Sequence, residues 1–511
     1  MKNFITKHRE KITGMISAFD RIIFKGYLPI SHPAAAEAFI AHRGLLLKDT
    51  KRFVKRCSEA IKQNALSITR KAGRPYVYLD HKIRKEEYAH QVARRDRITK
   101  GLICVLAICE ENISFALRCA KKKPRLVSTR PRCLTLYFYL MDPVLGFVHI
   151  RVSTWMPFTI QVYVNGHEWL ARQLDRRGMK YQKVDNAFVS IENCERAQAI
   201  ADKFPRQRWQ KIFHCFAKRV NPLMANVLKG LQYYWVTDQA EFATDILFAN
   251  RSALNELYPS LQRHAALCIG AEDILQFLGR KLHGSFAGEA LSELKKRWPG
   301  SRIKHRIKRN WMKMYDKFGV VLRVETVIND PHEFKVWRRG IRNGEPCFGW
   351  FPMAKRVTNL YRYAQVSLSA NKQYLNALAV IDDPTAAYHM LNRACQPVRS
   401  SKKRCRPLNL LNPQDNALCA AAMSGEFALH GFRQRDIAQH LAIRYSRDPV
   451  ERKRQSARLS RRIKLLHIHG LIAKIPRSRR YRVTYLGMQI MSAAVHLRTE
   501  YMPQLLLRKV S

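Results

Sequence analysis

The sequence predicts an α+β protein: a mixed α/β N-terminal body with a largely antiparallel sheet, followed by a small C-terminal domain of helices and one basic hairpin. Three observations predict it. Segments rich in β-branched and aromatic residues alternate with amphipathic helical patterns over roughly the first 200 residues. A stretch rich in Pro, Ser and Lys/Arg, CQPVRSSKKRCRPLNLLNPQD, then breaks the periodicity. Beyond it, closely spaced helices with capping signals follow.

Taken in order, Ser31 can cap a helix in HPAAAEAFIAHR that Gly44 ends, and DTKRFVKRCSEAIKQNALSITRKAG is a longer basic helix closing at Gly73. FDRIIFKGYLP, RPYVYLD, GLICVLAICE, RCLTLYFYLMD, GFVHIRVSTW and FTIQVYVNG read as strands, and MDPVLG as the turn joining the fourth to the fifth. Period-two alternation puts His149, Arg151 and Ser153 on one face of their strand, and Gln161, Tyr163 and Asn165 on one face of the next. Such a face either stacks on bases or is simply solvated. Gly166 and Gly178 bracket a helix in HEWLARQLDRRG, and ENCERAQAIADKF is another before Pro205. No internal repeat is evident.

From Trp209 to Phe248 the pattern again reads as helical. Within QYYWVTDQAEFATDILF, Asp238, Glu241 and Asp245 recur at i, i+3 and i+7 and so share one helix face. Three carboxylates together suit Mg²⁺ for phosphodiester chemistry, or pairing with the surplus Lys and Arg. KMYDKFGVVLRVETVINDPHEFKVW is the clearest hairpin, with its turn at 317–319 and a second strand over 320–328. There Leu322, Val324 and Ile328 face a core, while Arg323 and Glu325 share the other side. Glu325 is either neutralised by Arg323 or positioned for a ligand. Upstream, Lys304, Arg306, Lys308, Arg309 and Lys313 form a basic stretch suited to backbone phosphates. VTNLYRYAQVSLSANKQYLNALAVI is a helix carrying Tyr361, Tyr363 and Tyr374, and Tyr374 is a candidate nucleophile for strand transfer. These readings divide the chain into an α/β domain (1–205), a helical and hairpin, palm-like region (206–394), a basic linker (395–412) and a C-terminal domain (413–511).

In that last domain Asn412-Pro413 starts a helix, and GFRQRDIAQHLA supplies a second short one. The third begins at Asp448, with Pro449 and Glu451 completing its cap, and runs to about His469 before Gly470. Leu459, Ile463 and Leu466 form its apolar row; Arg454, Arg458 and Arg461 repeat the same spacing on another face, with Arg462 beside them. LIAKIPRSRRYRVTYLG then gives two strands whose tip carries Arg477, Arg479 and Arg480. A basic helix followed by a basic hairpin is the arrangement of a winged helix-turn-helix DNA-binding domain.

GFRQRDIAQHLA, ARLSRRIKLLHIHGLIAKI and RYRVTYLG resemble the winged helix of MarR-type transcriptional regulators, over roughly the last fifth of the chain. FDRIIFKGYLP, TWMPFTIQVYVNGHEWLARQL and KMYDKFGVVLRVETVIN resemble a group of uncharacterised bacterial proteins, which implies a common fold but carries no activity with it. YDKFGVVLRVE is also similar to a strand pair in phage and plasmid replication initiators, which nick DNA through a tyrosine with a divalent metal. Their metal-binding His-hydrophobic-His strand has its match only at His467-Ile468-His469, at the end of the basic helix.

Composition narrows the function classes. With 92 Lys+Arg against 39 Asp+Glu, the formal charge is +53, and a polyanion is the partner that offsets such self-repulsion. No apolar run is long enough for a membrane span, and MKNFITKHREKITG lacks a signal peptide's apolar stretch, so the expected location is the cytoplasm, at the nucleoid. The 12 cysteines form no CxxC pair, which argues for reduced, mostly buried thiols. His167-Glu168 has Ala171 where HExxH needs its second histidine.

The expectation is therefore a nucleic-acid-binding protein, DNA first and structured RNA second, of the mobile-element kind. One alternative is a metal-dependent nicking or strand-transfer enzyme using Glu325, Asp20, Asp245 and Tyr374, with Mg²⁺ as its only implied cofactor. Another is a MarR-like regulator.

Overall fold

The structure is a computed structural model that describes residues 1–79, 83–120, 123–279, 290–297, 300–379, 394–400, 403–409, 412–427, 430–476 and 478–501. The fold is α+β, as the sequence predicts, and the chain divides into two compact units. The first holds 1–259, 277–279 and 291–376; the second gathers 260–276 with the residues after 376.

In the first unit α1 (Lys2–Lys7) precedes the long strand β1 (Ile12–Tyr27). Helices α2 (Pro33–His42) and α3 (Thr50–Ala72), strand β2 (Tyr76–Tyr78) and helix α4 (Lys85–Arg95) follow. Strand β3 (Gly101–Glu111) is succeeded by a separate hairpin, β4 (Ser114–Ala120) and β5 (Lys123–Thr129), and then by β6 (Arg132–Asp142), β7 (Gly146–Ser153) and β8 (Ile160–Asn165). Next come α5 (Gly166–Asp175), the hairpin β9 (Tyr181–Val184) and β10 (Ala187–Ile191), α6 (Cys194–Ala201) and α7 (Trp209–Val220). The chain returns to the sheet as β11 (Tyr234–Phe248), followed by α8 (Arg251–Leu267), whose residues from 260 on belong to the second unit, and by α9 (Ala271–Phe277), which belongs to it up to residue 276. Strands β12 (Ala290–Arg297), β13 (Gly300–Ile307), β14 (Asn310–Lys317) and β15 (Val321–Ile328) come next. The hairpin β16 (Lys335–Arg342) and β17 (Glu345–Pro352), and helix α10 (Leu360–Leu378), complete this stretch.

Eleven strands form one sheet in the order β12-β13-β14-β15-β11-β1-β8-β7-β6-β3-β2. From β3 across to β13 all neighbours run antiparallel, and β2 joins β3 in parallel. The order contains a topological duplication that the sequence does not reveal. β1 is followed by helices and by strands β3, β6, β7 and β8, the last of which returns to pair with β1. β11 is followed by helices and by β12, β13, β14 and β15, the last of which returns to pair with β11. β1 and β11 lie antiparallel at the centre, as a two-fold relation between the halves requires.

Two expectations are corrected here. Residues 234–248 form a strand, not a helix, so Asp238, Glu241 and Asp245 do not share a helix face. β11 is paired on both edges and buried along nearly its whole length; a strand covered on both faces loses the alternation that would announce it. Nor does a boundary fall near residue 205, because β11 pairs with β1 on one side and β15 on the other, making 1–205 and 206–376 one sheet.

The polar face of β7 and β8 is covered in part, while Arg151 and Gln161 stay half-buried and line a separate cavity. Tyr139, Phe147 and Tyr137 pack with Ala89, Val92 and Ala93 of α4, and Arg151 is bound to Glu110 at 2.7 Å. The cap predicted at Ser31 is also absent: α2 starts at Pro33 with no side-chain cap.

The second unit contains the small hairpin β18 (Val398–Ser400) and β19 (Lys403–Cys405) and the helix α11 (Pro413–Ala422). Helix α12 (Gln434–His440), the long helix α13 (Pro449–Ile468), strands β20 (Ile472–Lys474) and β21 (Tyr481–Val483), and α14 (Tyr485–His496) follow. Phe432 bridges to Tyr481 as a third short strand, so the topology is that of a winged helix. Leu418, Ile437, Leu459, Ile463 and Leu466 share its core. The predicted linker is partly built into this domain: Leu408 lies in the same core, and Arg406 makes a two-pronged bond to Asp415. His469 Nε2 lies 3.0 Å from the Arg406 carbonyl, so the His467-Ile468-His469 match belongs to packing.

Among the described residues no helix is long and apolar enough to cross a membrane. The cysteines are unpaired, but only Cys57, Cys104, Cys133 and Cys419 are buried, so "mostly buried" is corrected.

Candidate functional site

The centre of the first unit places charge where a sheet normally has none. Asp245 of β11 lies opposite Arg323 of β15, and Ala243 opposite Glu325, so Glu241, Asp245, Arg323 and Glu325 project from one face. β14 adds Lys313 opposite Glu325 and Tyr315 opposite Arg323. β1 contributes through an irregularity: Phe19 pairs with Phe242 and Ile22 with Ala240, so Asp20 and Arg21 together oppose Glu241. This bulge brings Asp20 and Arg21 to one cavity.

Two tiers result. In the deeper one Arg323, fully buried, donates through Nε and Nη2 to the two oxygens of Asp245 at 2.6 and 2.7 Å, and through Nη1 to Asp20 at 2.9 Å. His167 sits between the same acids, 3.7 Å from Asp20 and 3.6 Å from Asp245, just beyond hydrogen-bond reach. Asn165 and Asn186 donate to Asp20 as well. Burial alone would raise the Asp20 and Asp245 carboxyls, but Arg323 and His167 reverse this and hold both below the usual range.

In the outer tier Asp20, Glu241 and Glu325 each offer an oxygen, all within 4.8 Å of one another. Lys313 reaches Glu325 at 3.1 Å and Glu241 at 3.5 Å, and the Tyr315 hydroxyl donates to Glu325 at 3.2 Å. Burial and the neighbouring Glu325 push the Glu241 carboxyl up to about 8, so without a further cation it holds a proton at neutral pH. Burial, then Glu325, raises the Tyr315 phenol well above its ordinary value. These groups line a cavity of about 320 Å³ whose rim carries Arg21, Arg302 and Lys317.

Of the predicted site residues, Glu325 and Asp20 meet in this cavity. Asp245 lies behind them, consumed by Arg323. Tyr374 is corrected: it is buried on α10, hydrogen-bonded to His305 at 2.9 Å. α10 packs on the opposite sheet face, where Asn371 bonds Thr326 and Thr244. Glu325 is not neutralised by Arg323, as one alternative had it. Lys313 is likewise no free phosphate contact, because it is spent on Glu241 and Glu325. Lys304 lies over the Trp311 ring, while Arg306, Lys308 and Arg309 are exposed, Lys308 with Glu333 as its partner. Tyr315, Asn186 and Glu241's real partners were missed. The period-two register of the hairpin, which put Arg323 beside Glu325, also put Tyr315 and Lys313 on one side of their own strand.

The winged helix forms the second candidate surface. Asp448 caps α13 by accepting from the Val450 and Glu451 amides, with Pro449 in the first turn. Leu459, Ile463 and Leu466 are buried, while Arg454, Arg458 and Arg461 are exposed, as predicted. Arg454 lies 3.7 Å from Glu451. Arg462 is corrected: it turns inward and donates to the Gln414 carbonyl. On the hairpin Arg479 is exposed, Arg480 donates to the His430 carbonyl at 2.9 Å, and Arg477 lies outside the described residues.

Fold and sites thus define a class: an α+β body with a buried carboxylate cavity, in one chain with a basic winged helix. No protein-family model, no curated protein and no solved structure matches the chain.

Proposed function

We propose that the protein binds DNA, gripping duplex with the exposed face of α13 and the tip of the hairpin that follows. The observation that supports this reading above all is the division of α13. Its apolar row is docked, its N-terminus is capped, and Arg454, Arg458 and Arg461 project from the residual surface without a buried acid to absorb them. A formal charge of +53 supplies the long-range attraction. The body adds further cationic surface for DNA or a structured RNA.

The test is the salt dependence of duplex binding by the full chain. Arg458→Ala with Arg461→Ala weakens affinity and lowers the slope of log K against log salt by about two, since each phosphate contact contributes about 0.9. An unchanged slope overturns this assignment of the DNA-binding face. Tighter binding to a folded RNA than to any duplex replaces DNA by RNA as the partner.

A further inference from the structure

The geometry points to a divalent-cation site in the first unit, formed by the carboxylates of Asp20, Glu241 and Glu325. The cation is a hard, oxygen-seeking one of the Mg²⁺, Mn²⁺ or Ca²⁺ class, with its open positions facing the cavity. Three oxygens up to 4.8 Å apart surround a point about 2.8 Å from each. Shifts of about half an ångström bring them to the roughly 2.1–2.6 Å that such ions require.

Two further observations point the same way. Glu325 is 1% exposed, lines the cavity, and leaves its Oε1 atom buried with no hydrogen-bond partner. Native structures seldom leave such an atom unmatched. Asn186 lines the same cavity, and its Oδ1 is buried and unmatched too, while its Nδ2 donates to Asp20. Of the cations lining the cavity, Lys317 is paired with Asp185, and Arg21 and Arg302 suit a phosphate ester placed against the ion.

The experiment is Mn²⁺ binding by the full chain, followed by the loss of the free-ion electron paramagnetic resonance signal and competed with Mg²⁺ and Ca²⁺. The site binds one Mn²⁺, and Glu325→Gln or Glu241→Gln weakens it by at least about tenfold, the low end of losses seen even for outer-shell partners. Asp238→Asn, on the same strand but paired with Lys25, leaves the affinity unchanged. Circular dichroism and thermal melts check that each variant is folded. A folded wild type that takes up no Mn²⁺, or a folded Glu325→Gln that binds it equally well, overturns the site and leaves a purely structural ion-pair cluster. No nucleic acid enters this test, so its outcome is separate from the DNA-binding reading.

A different observation carries a second inference, which rests on the nucleic-acid reading. The β16–β17 hairpin pairs Trp337 with Trp350, Arg339 with Phe348 and Ile341 with Pro346, so these side chains share one face. Trp337, Phe348 and Trp350 are 57%, 68% and 61% exposed. An aromatic face this open on a two-stranded sheet needs an occupant. Lys335 and Arg339 flank it, Arg338 and Arg342 cover Phe351 on the reverse, and Glu345 is the hairpin's single acid. We infer that this arm stacks on the bases of a single-stranded nucleic acid, whose backbone matches the flanking charge.

Anisotropy of a labelled oligothymidylate tests it. Trp337→Ala with Trp350→Ala weakens single-strand binding about tenfold or more, the worth of one stacked base. Phe at both positions retains most of the affinity, and duplex binding through α13 is unaffected. Unchanged single-strand affinity in the Ala pair overturns the inference. So does wild-type binding to anionic phosphatidylserine vesicles with none to the oligonucleotide.

Discussion

At the scale of single residues, Arg323 carries the most electrostatic weight. It neutralises Asp245 and part of Asp20 in a place without solvent, and removing one member of such a group leaves the others charged and unpaired. Arg323→Met therefore lowers stability by about 3–5 kcal/mol, measured by urea unfolding. His149 is a second case. Its ring stacks on Tyr163 at 4.8 Å, and burial followed by the charges of Lys85 and Arg151 pushes its pKa down to about 3. The folded protein then refuses a proton that the unfolded chain accepts near 6.5. Stability falls as pH drops from about 6.5 toward 3, with a slope of up to about 1.4 kcal/mol per pH unit, and levels off below. His149→Phe keeps the stack and flattens that slope, as thermal melts across this range will record. Glu325 was legible in the sequence because an acid stands out in VVLRVETVI; that Lys313, not Arg323, answers it was not, since Arg323 is claimed from β11 and β1.

At the scale of elements, local signals were strongest where the chain satisfies itself. The cap of α13 was readable from Asp448, Pro449 and Glu451 because all its partners lie within one turn. Asp448→Ala costs the second unit about 1 kcal/mol, visible in denaturant titration of the full chain. The hairpin of β14 and β15 was readable for the same reason, its turn and alternation being local. β11 was not. Its acids fall at helical spacing by coincidence, and its burial on both faces, supplied by β1 and β15, erased the alternation. The bulge in β1 was equally invisible, because the extra residue is defined only against the strand it fails to match.

At the scale of the whole molecule, the sheet joins segments more than two hundred residues apart, Asp20 and Arg323 among them. Truncation after residue 205 removes β11 and exposes one edge of β1, leaving a bare template for strand pairing. That fragment is expected to aggregate or to unfold without a cooperative transition, whereas the chain through β15 keeps the central pairings; calorimetry and size-exclusion chromatography of the two distinguish these outcomes. The near match of the two halves in topology, without a repeat in sequence, is a related lesson. A sheet repeats its path through pairing and burial, and many side chains satisfy the same requirement.

By itself, then, the order of residues determined the strands of β3 and β6–β8, the helix ends at Gly73 and Gly178, the capped basic helix and the chain's own positive charge. Each depends on neighbours in the chain or on bulk charge. Only the tertiary structure decided that Asp20, Glu241 and Glu325 meet, that Tyr374 lies on the far face, and that Arg462 turns inward. Those facts depend on which strands become neighbours and in what register, and a register is a property of two segments at once.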